Sequence, residues 1–379
     1  MEIDDLVRDL PDDTIRDALP LKWGSVEPGT IPAFVAEMDY ALAEPIAEAV
    51  GAAVRRGTAG YPPFGDAGVG AALTGFSDRH WSWSPPEDAS VICGDVIAGI
   101  RLALEVLCPP GPVVVPVPCY PPFRDIVTLT GRELVTVETD PDADDAPLDL
   151  TAVAAAFARG ARTLLLCNPH NPLSRVPSRA ELEELRDLAR EYDARIVSDE
   201  IHGPLVLPGT EFTPYLAVDE RGIAVISPSK TFNTAGLHCA QIVTLDPAEL
   251  ERLRSVSLPQ NHAYSPLGMI AAVVAWTDCD DWHRALIGRL DAQRTLLGQL
   301  LDAHLPEVRL RPMQATYLPW LDLRAYGHAE PAELARAHGL EVSPGQMYHP
   351  GLTGHVRLNT ATSPGRLEET VLRLASAVR

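Results

Sequence analysis

Lysine is almost missing from this chain. Its 379 residues include 31 basic side chains, yet lysine stands only at Lys22 and Lys230 and every other one is arginine. Basic charge is scarce altogether: 52 acidic residues leave a net charge of −21, and such a surface repels phosphate backbones and anionic lipid. Nucleic acid and membranes are therefore poor partners. No apolar run approaches the roughly 18 residues of a spanning helix, and the opening MEIDDLVRDL is acidic where a secretory signal would be basic and then apolar. The six cysteines (Cys93, Cys108, Cys119, Cys167, Cys239, Cys279) show no CxxC spacing and no short disulfide framework. The 11 histidines contain no HExxH, and His349 with His355 falls in a glycine-containing loop, so no metal is expected. A cytoplasmic protein handling a small molecule is what these absences leave.

What is present fits an ordinary globular enzyme: 46% hydrophobic and 22% charged residues, long enough for two or three cores at about 150 residues each. The lysine scarcity then becomes informative. Arginine serves solubility as well as lysine does, but it stays protonated and cannot act as an amine nucleophile. A lysine that persists in such a chain is a candidate for chemistry; the alternative is two leftover surface lysines.

The middle of the chain alternates short apolar runs with helical patterns, which predicts an α/β fold with a mostly parallel central sheet. Strands are expected at Ser90–Cys93, Val113–Val117, Thr163–Cys167, Arg195–Ser198 and Ile223–Ile226, with helices over Val96–Leu107 and Arg179–Tyr192. Leu182, Leu185 and Leu188 form the inward face of the latter. Pro141–Pro147 reads as a solvated loop. Toward the end come a long amphipathic helix, Asp280–His304, strand-like Tyr317–Leu323 and His355–Leu358, and a closing helix Pro364–Val378. The expected division is a large unit over residues 46–279 and a smaller α+β unit from 1–45 and 280–379. Trp81 and Trp83 alternate as in an edge strand, and Gly65–Gly70 reads as a loop rather than a dinucleotide fingerprint.

In open parallel sheets, ligands sit at the carboxyl ends of the strands. Here those ends carry Gly94 before a helix start, Asn168 and Asn171, Asp199, and Ser227-Pro-Ser229-Lys230. A carboxylate, an amide, hydroxyls, a lysine and an anion-binding helix N-terminus converge on one edge. Pyridoxal phosphate asks for that set: an amine for its carbonyl carbon, a carboxylate against its ring nitrogen, a donor to its phenolic oxygen, an aromatic face, and amides for its phosphate.

Longer segments carry a resemblance. LKWG (Leu21–Gly24), IPAFVAEMDYALAEPI (Ile31–Ile46), GYP (Gly60–Pro62), PVPCYPPF (Pro116–Phe123) and NPHNPLSRV (Asn168–Val176) are followed by SDEIHGPL (Ser198–Leu205) and SPSKTFNTAGL (Ser227–Leu237). ATYLPWLD (Ala315–Asp322) and VRLNTATSP (Val356–Pro364) complete the series. Over essentially its whole length the chain resembles the fold-type I pyridoxal-phosphate enzymes, specifically the MalY/PatB-type cystathionine β-lyases and the related class I/II aminotransferases. The resemblance implies Lys230 as the Schiff-base lysine, Asp199 as the pyridinium partner, Asn171 as donor to the phenolic oxygen and Tyr120 as the stacking ring at the substrate end. It implies Tyr61 as a phosphate ligand sent into the neighbouring subunit of a homodimer. Val96 and Ile97 would offer amides to the phosphate, Ser227 and Ser229 hydroxyls, and Arg357 would grip the substrate carboxylate. His202, on the strand end after Asp199, is expected near the ring or in a structural role.

Four positions depart from the family pattern. Glu37 replaces the usual aspartate at the substrate end, Leu173-Ser174 replaces Thr-Gly, Asp95 precedes the phosphate helix, and His238 stands where an arginine is frequent. Glu37 is expected to compete with the substrate for Arg357 and so to disfavour cystathionine, a preference that Glu37→Asp should restore. The activity implied is C–S β-lysis of a cystathionine-like cysteine S-conjugate to a thiol, pyruvate and ammonia. The alternatives are an aminotransferase, a decarboxylating or deaminating enzyme on an amino acid, or a cofactor-binding regulatory protein.

Overall fold

The computed structural model describes residues 6–379. A two-residue strand, β1 (Ile31–Pro32), pairs in parallel with Leu340–Glu341 (β11) and ties the N-terminal segment to the C-terminal third of the chain. Between them lies a seven-stranded sheet of β2 (Ser90–Cys93), β3 (Val113–Val117), β4 (Leu134–Glu138), β5 (Thr163–Cys167), β6 (Arg195–Asp199), β7 (Ile223–Ile226) and β8 (Ala240–Val243). Its spatial order is β2-β8-β7-β6-β5-β3-β4, and β8 alone runs antiparallel to its neighbours. β2, β3, β5, β6 and β7 therefore point the same way and deliver their carboxyl ends to one edge. β4 and β8 had not been anticipated. The half-buried β4, an edge strand, lacks the continuous apolar run of its neighbours, and β8 carries a buried Gln241 bonded to Ser90 and Trp276.

The pleat explains the layers. Val113, Val115, Val117 and Leu165 face a core shared with helix Val96–Val106, whereas Val114, Leu164, Leu166 and Ile196 face one shared with helices Leu150–Ala158 and Arg179–Glu191. Helix Arg179–Glu191 starts on a capping box, Ser178 with Glu181, and buries Leu182 and Leu185. Helix Val96–Val106 lies close to the sheet because Gly99 has no side chain: a Cβ there would stand 2.7 Å from Val225 and 2.8 Å from Cys93.

A four-stranded antiparallel sheet, β12-β13-β10-β9, comes from Ser343–Pro344, His355–Arg357, Trp320–Asp322 and Arg309–Leu310. Of the expected Tyr317–Leu323 strand only its last part is extended in a ladder. Helices Asp280–His304 and Pro364–Val378 form as expected. The tryptophan expectation is corrected: Trp81 ends helix Val69–Trp81, which Ser82 stops in a left-handed conformation (φ 50°), and Trp81 packs edge-on against Phe212 at 4.9 Å. That helix also begins inside the expected Gly65–Gly70 loop, at Val69. Residues 141–147 do form a loop, but Asp142, Asp144 and Asp145 pair with Arg324, Arg309 and Arg175. His355 lies in β13 rather than in a loop, beside Asp142 and Asp322, two carboxylates that Arg324 already holds. Among the described residues no helix is long and apolar enough to cross a membrane, and all six cysteines are free and buried.

Candidate active site

Lys230 follows β7 in a tight turn, Phe232 and Thr234 donating back to Pro228 and Ser229. Its Nζ donates to the carbonyl of Ala36 at 2.9 Å. Burial holds its amine below the usual lysine range; Glu37 and Asp199 oppose that shift and Arg357 adds to it. The other lysine is not a surface residue either. Lys22 is 1% exposed, pairs with Asp39 at 2.8 Å and donates to the Glu37 carbonyl.

Asp199 closes β6 almost wholly buried. Burial pushes its carboxyl up to about 7, opposed by the Ile201 amide at 3.1 Å and by the charge of Lys230. At the end of the neighbouring β5, Asn171 accepts from Arg357 Nη1 at 3.0 Å. Arg357 sits in β13, paired on both sides, opposite Trp320 and Ser343, so its backbone is fixed. Its Nη2 donates to the Phe34 carbonyl at 2.7 Å, its guanidinium lies 5.0 Å over the Tyr348 ring, and its Nε has no partner among the described residues. Burial raises the Tyr120 phenol, and its electrostatic neighbours are Arg357, Asp199, Tyr348 and Asp95. His202 is buried, its Nδ1 has no partner among the described residues, and burial together with Lys230 and Arg357 pushes its imidazole down to about 3, which keeps it neutral.

Asp95 caps helix Val96–Val106 by accepting from Ala98 at 2.8 Å. The amides of Val96 and Ile97, at the helix start, are left without a helical acceptor. Of the two serines, Ser227 spends its hydrogen on the Cys239 carbonyl at 2.7 Å and accepts from the Ser229 amide. Tyr61 does not join the cluster within its own chain: it is 91% exposed and its ring meets His262 at 6.1 Å. Phe64 and His262 line a neighbouring cavity of about 790 Å³.

One feature escaped sequence reasoning. Residues 34–38 form a strap whose carbonyls are each taken by a side chain from elsewhere. Phe34 is bound by Arg357 and Ser343, Val35 by Asn359, Ala36 by Lys230 and Tyr317, Glu37 by Lys22 and Asn359, and Met38 by Asn233. The motif IPAFVAEMDY marked the segment, but backbone acceptors leave no signature in a sequence. Glu37 Oε2 is buried and has no hydrogen-bond partner among the described residues. The expected competition for Arg357 is not seen: that guanidinium bonds Asn171 and Phe34, and Glu37 acts electrostatically on Lys230, Lys22 and Tyr317.

These groups fit pyridoxal phosphate on structural grounds. A buried amine with a lowered proton affinity, a buried carboxyl at the next strand end, a His202 nitrogen without a partner among the described residues, and free amides at a helix start lie along one edge of the seven-stranded sheet, and Arg357, from β13 of the second sheet, meets that edge at Asn171. The chain is similar over 96% of its length to 98% of the cystathionine beta-lyase of Corynebacterium glutamicum, at 36% identity. It is 30% identical to the cystathionine beta-lyase PatB of Bacillus subtilis, over 92% of each chain. Among solved structures, one from Corynebacterium diphtheriae, provisionally assigned as a pyridoxal-phosphate-dependent β-cystathionase, superimposes with a TM-score of 0.92 at 33% identity, covering 98% of this chain and 99% of that one. With residues 37–374 matching the family model of aminotransferase class I and II, the chain belongs to that family and has the fold of the fold-type I pyridoxal-phosphate enzymes.

Proposed function

We propose that the protein is a pyridoxal-phosphate-dependent C–S β-lyase that cleaves a cystathionine-like cysteine S-conjugate to a thiol, pyruvate and ammonia. The observation that carries this reading is the pairing of Lys230 and Arg357 through one strap: the amine and the guanidinium are held by carbonyls two residues apart, Ala36 and Phe34. An α-amino acid whose carboxylate lies on Arg357 then presents its α-carbon toward Lys230. Relatives named cystathionine beta-lyase at 36% identity support the choice of bond.

Lys230 would hold the cofactor's carbonyl carbon, Asp199 its ring nitrogen, Asn171 its phenolic oxygen, Tyr120 its face, and the Val96 and Ile97 amides with Ser229 its phosphate. Bound there, pyridoxal phosphate supplies an electron sink for the pair released when the Cα–H bond breaks. Arg357 binds the α-carboxylate through its fork and fixes which Cα bond stands next to the amine. Lys230 takes the α-proton; burial lowers its amine from the usual lysine range, which shifts it toward the neutral, basic form. Asp199, ionised once a cationic ring nitrogen lies against it, would keep that nitrogen protonated. His202, neutral, adds no charge to compete.

Three readings accompany the proposal. The chain divides into residues 46–279 and a second unit of 1–45 with 280–379; the confinement of one sheet to residues 90–243 and the other to 309–357 supports this. It works as a homodimer in which Tyr61 completes the partner's phosphate site, a reading supported by exposed Tyr61 and Phe64 beside an open hollow. Six unpaired cysteines accord with the reducing cytoplasm. Incubation of the holoenzyme with cystathionine tests the activity: pyruvate formed without an added keto acid supports lysis, whereas amino transfer that requires a keto acid supports the aminotransferase alternative.

A further inference from the structure

The charges around Lys230 do not close without a ligand. Its electrostatic neighbours are Glu37, Arg357 and Asp199. In the lyase reading, on which this inference rests, three of the four groups are committed. Asp199 faces a ring nitrogen, Arg357 a substrate carboxylate, and the Lys230 amine a carbonyl carbon, which removes its free ammonium. The nearby Lys22 is already spent on Asp39 at 2.8 Å and on the Glu37 carbonyl. Glu37 is left over. Its Oε2 is buried and, among the described residues, has no hydrogen-bond partner. A buried carboxylate oxygen without a donor is costly, so the site is completed by a donor from outside the chain.

The order along the strap says where that donor belongs. Phe34 meets Arg357, Ala36 meets Lys230, and Glu37 comes next. Running from the carboxylate grip to the reacting amine, this order puts Glu37 one residue beyond the carbonyl that holds the amine, on the side away from the Arg357 contact along the chain. We infer that Glu37 selects the departing arm: it receives an ammonium group carried on the sulfur substituent. Conjugates whose arm ends in a cationic amine are thereby favoured over those with a neutral or purely anionic arm. The opposite preference, against cystathionine, would need a contact between Glu37 and Arg357, and among the described residues Arg357 bonds Asn171 and Phe34 instead.

Cystathionine and S-carboxypropylcysteine differ only in the distal amino group, so their kcat/KM ratio isolates the contact. The wild-type holoenzyme is expected to favour cystathionine by about tenfold or more, and Glu37→Gln, which keeps the volume and removes the charge, to bring the ratio within about threefold. Glu37→Asp should fall between. An unchanged ratio in Glu37→Gln overturns the assignment, and so does an equal loss on both substrates, which would make the carboxylate a general participant. Calorimetry with the two analogues in which a methylene replaces sulfur reads the same preference where no C–S bond can break. Glu37-dependent binding without pyruvate from either thioether sinks the lyase reading and keeps the selector; pyruvate with no Glu37-dependent preference does the reverse.

Discussion

At the scale of single residues, the two lysines make the sharpest contrast. Both are buried, but Lys22 faces a carboxylate at 2.8 Å and Lys230 a carbonyl. Borohydride reduction of the holoenzyme followed by peptide mapping should therefore label Lys230 and leave Lys22 unlabelled; Lys230→Ala should abolish turnover. Label on Lys22 would refute the assignment. Arg357→Lys keeps the charge and loses the fork, so kcat/KM should fall by about 10²-fold, roughly 2.7 kcal/mol of transition-state binding. Asp199 gives a pH signature. Its folded carboxyl is pushed up to about 7 from an ordinary value near 4, so the native apoprotein holds a proton that the unfolded chain releases. Its contribution to stability is therefore lost as pH rises from about 4 to about 7. Glu200, also pushed up to about 7, acts the same way. Asp199→Asn should raise the apoprotein melting temperature at pH 8 more than at pH 4; equal shifts at both would contradict the burial argument. Residue types that chemistry restricts, a lone lysine, an aspartate and an asparagine at strand ends, an arginine in VRLN, were legible in the sequence. Tyr348, stacked under Arg357, was not, because a tyrosine in a loop carries no mark of its partner.

At the scale of elements, the strap and the phosphate helix place the chemistry. The strap is anchored beside the Lys22–Asp39 pair, which also receives Trp23 Nε1 at 2.7 Å and the Thr362 hydroxyl at 2.7 Å. Lys22→Ala would leave the buried Asp39 carboxylate with Arg366 at 3.9 Å as its remaining cation and should cost about 3 kcal/mol in denaturant melts. A loss near zero would show that the pair is replaceable by water. The strands were readable because continuous apolar runs bounded by polar turn residues are what a doubly covered parallel sheet needs. β8 was hidden by Gln241, and the Trp81–Trp83 alternation misled because a helix stop at Ser82 can mimic a period of two. The strap was visible only as a resemblance, since its work is done by carbonyls common to every residue.

For the molecule as a whole, the composition told class and charge, and the alternation of strands and helices told the sheet; neither could place Tyr61. The proposed homodimer assigns the exposed Tyr61 ring to a second copy, and that reading is testable. Mixing Tyr61→Ala and Lys230→Ala chains should restore about a quarter of wild-type activity, because half of the dimers are mixed and each rebuilds one intact site. No recovery, with mixed dimers present, would mean that each chain is complete on its own. The central claim is that Lys230, with Arg357 opposite, drives C–S cleavage, and pyruvate release from cystathionine by the purified holoenzyme is the measurement that meets it most directly. Stoichiometric pyruvate and free thiol in wild type, both lost in Lys230→Ala, is the expected result. Cystathionine left intact while its amino group passes to a keto acid would contradict it.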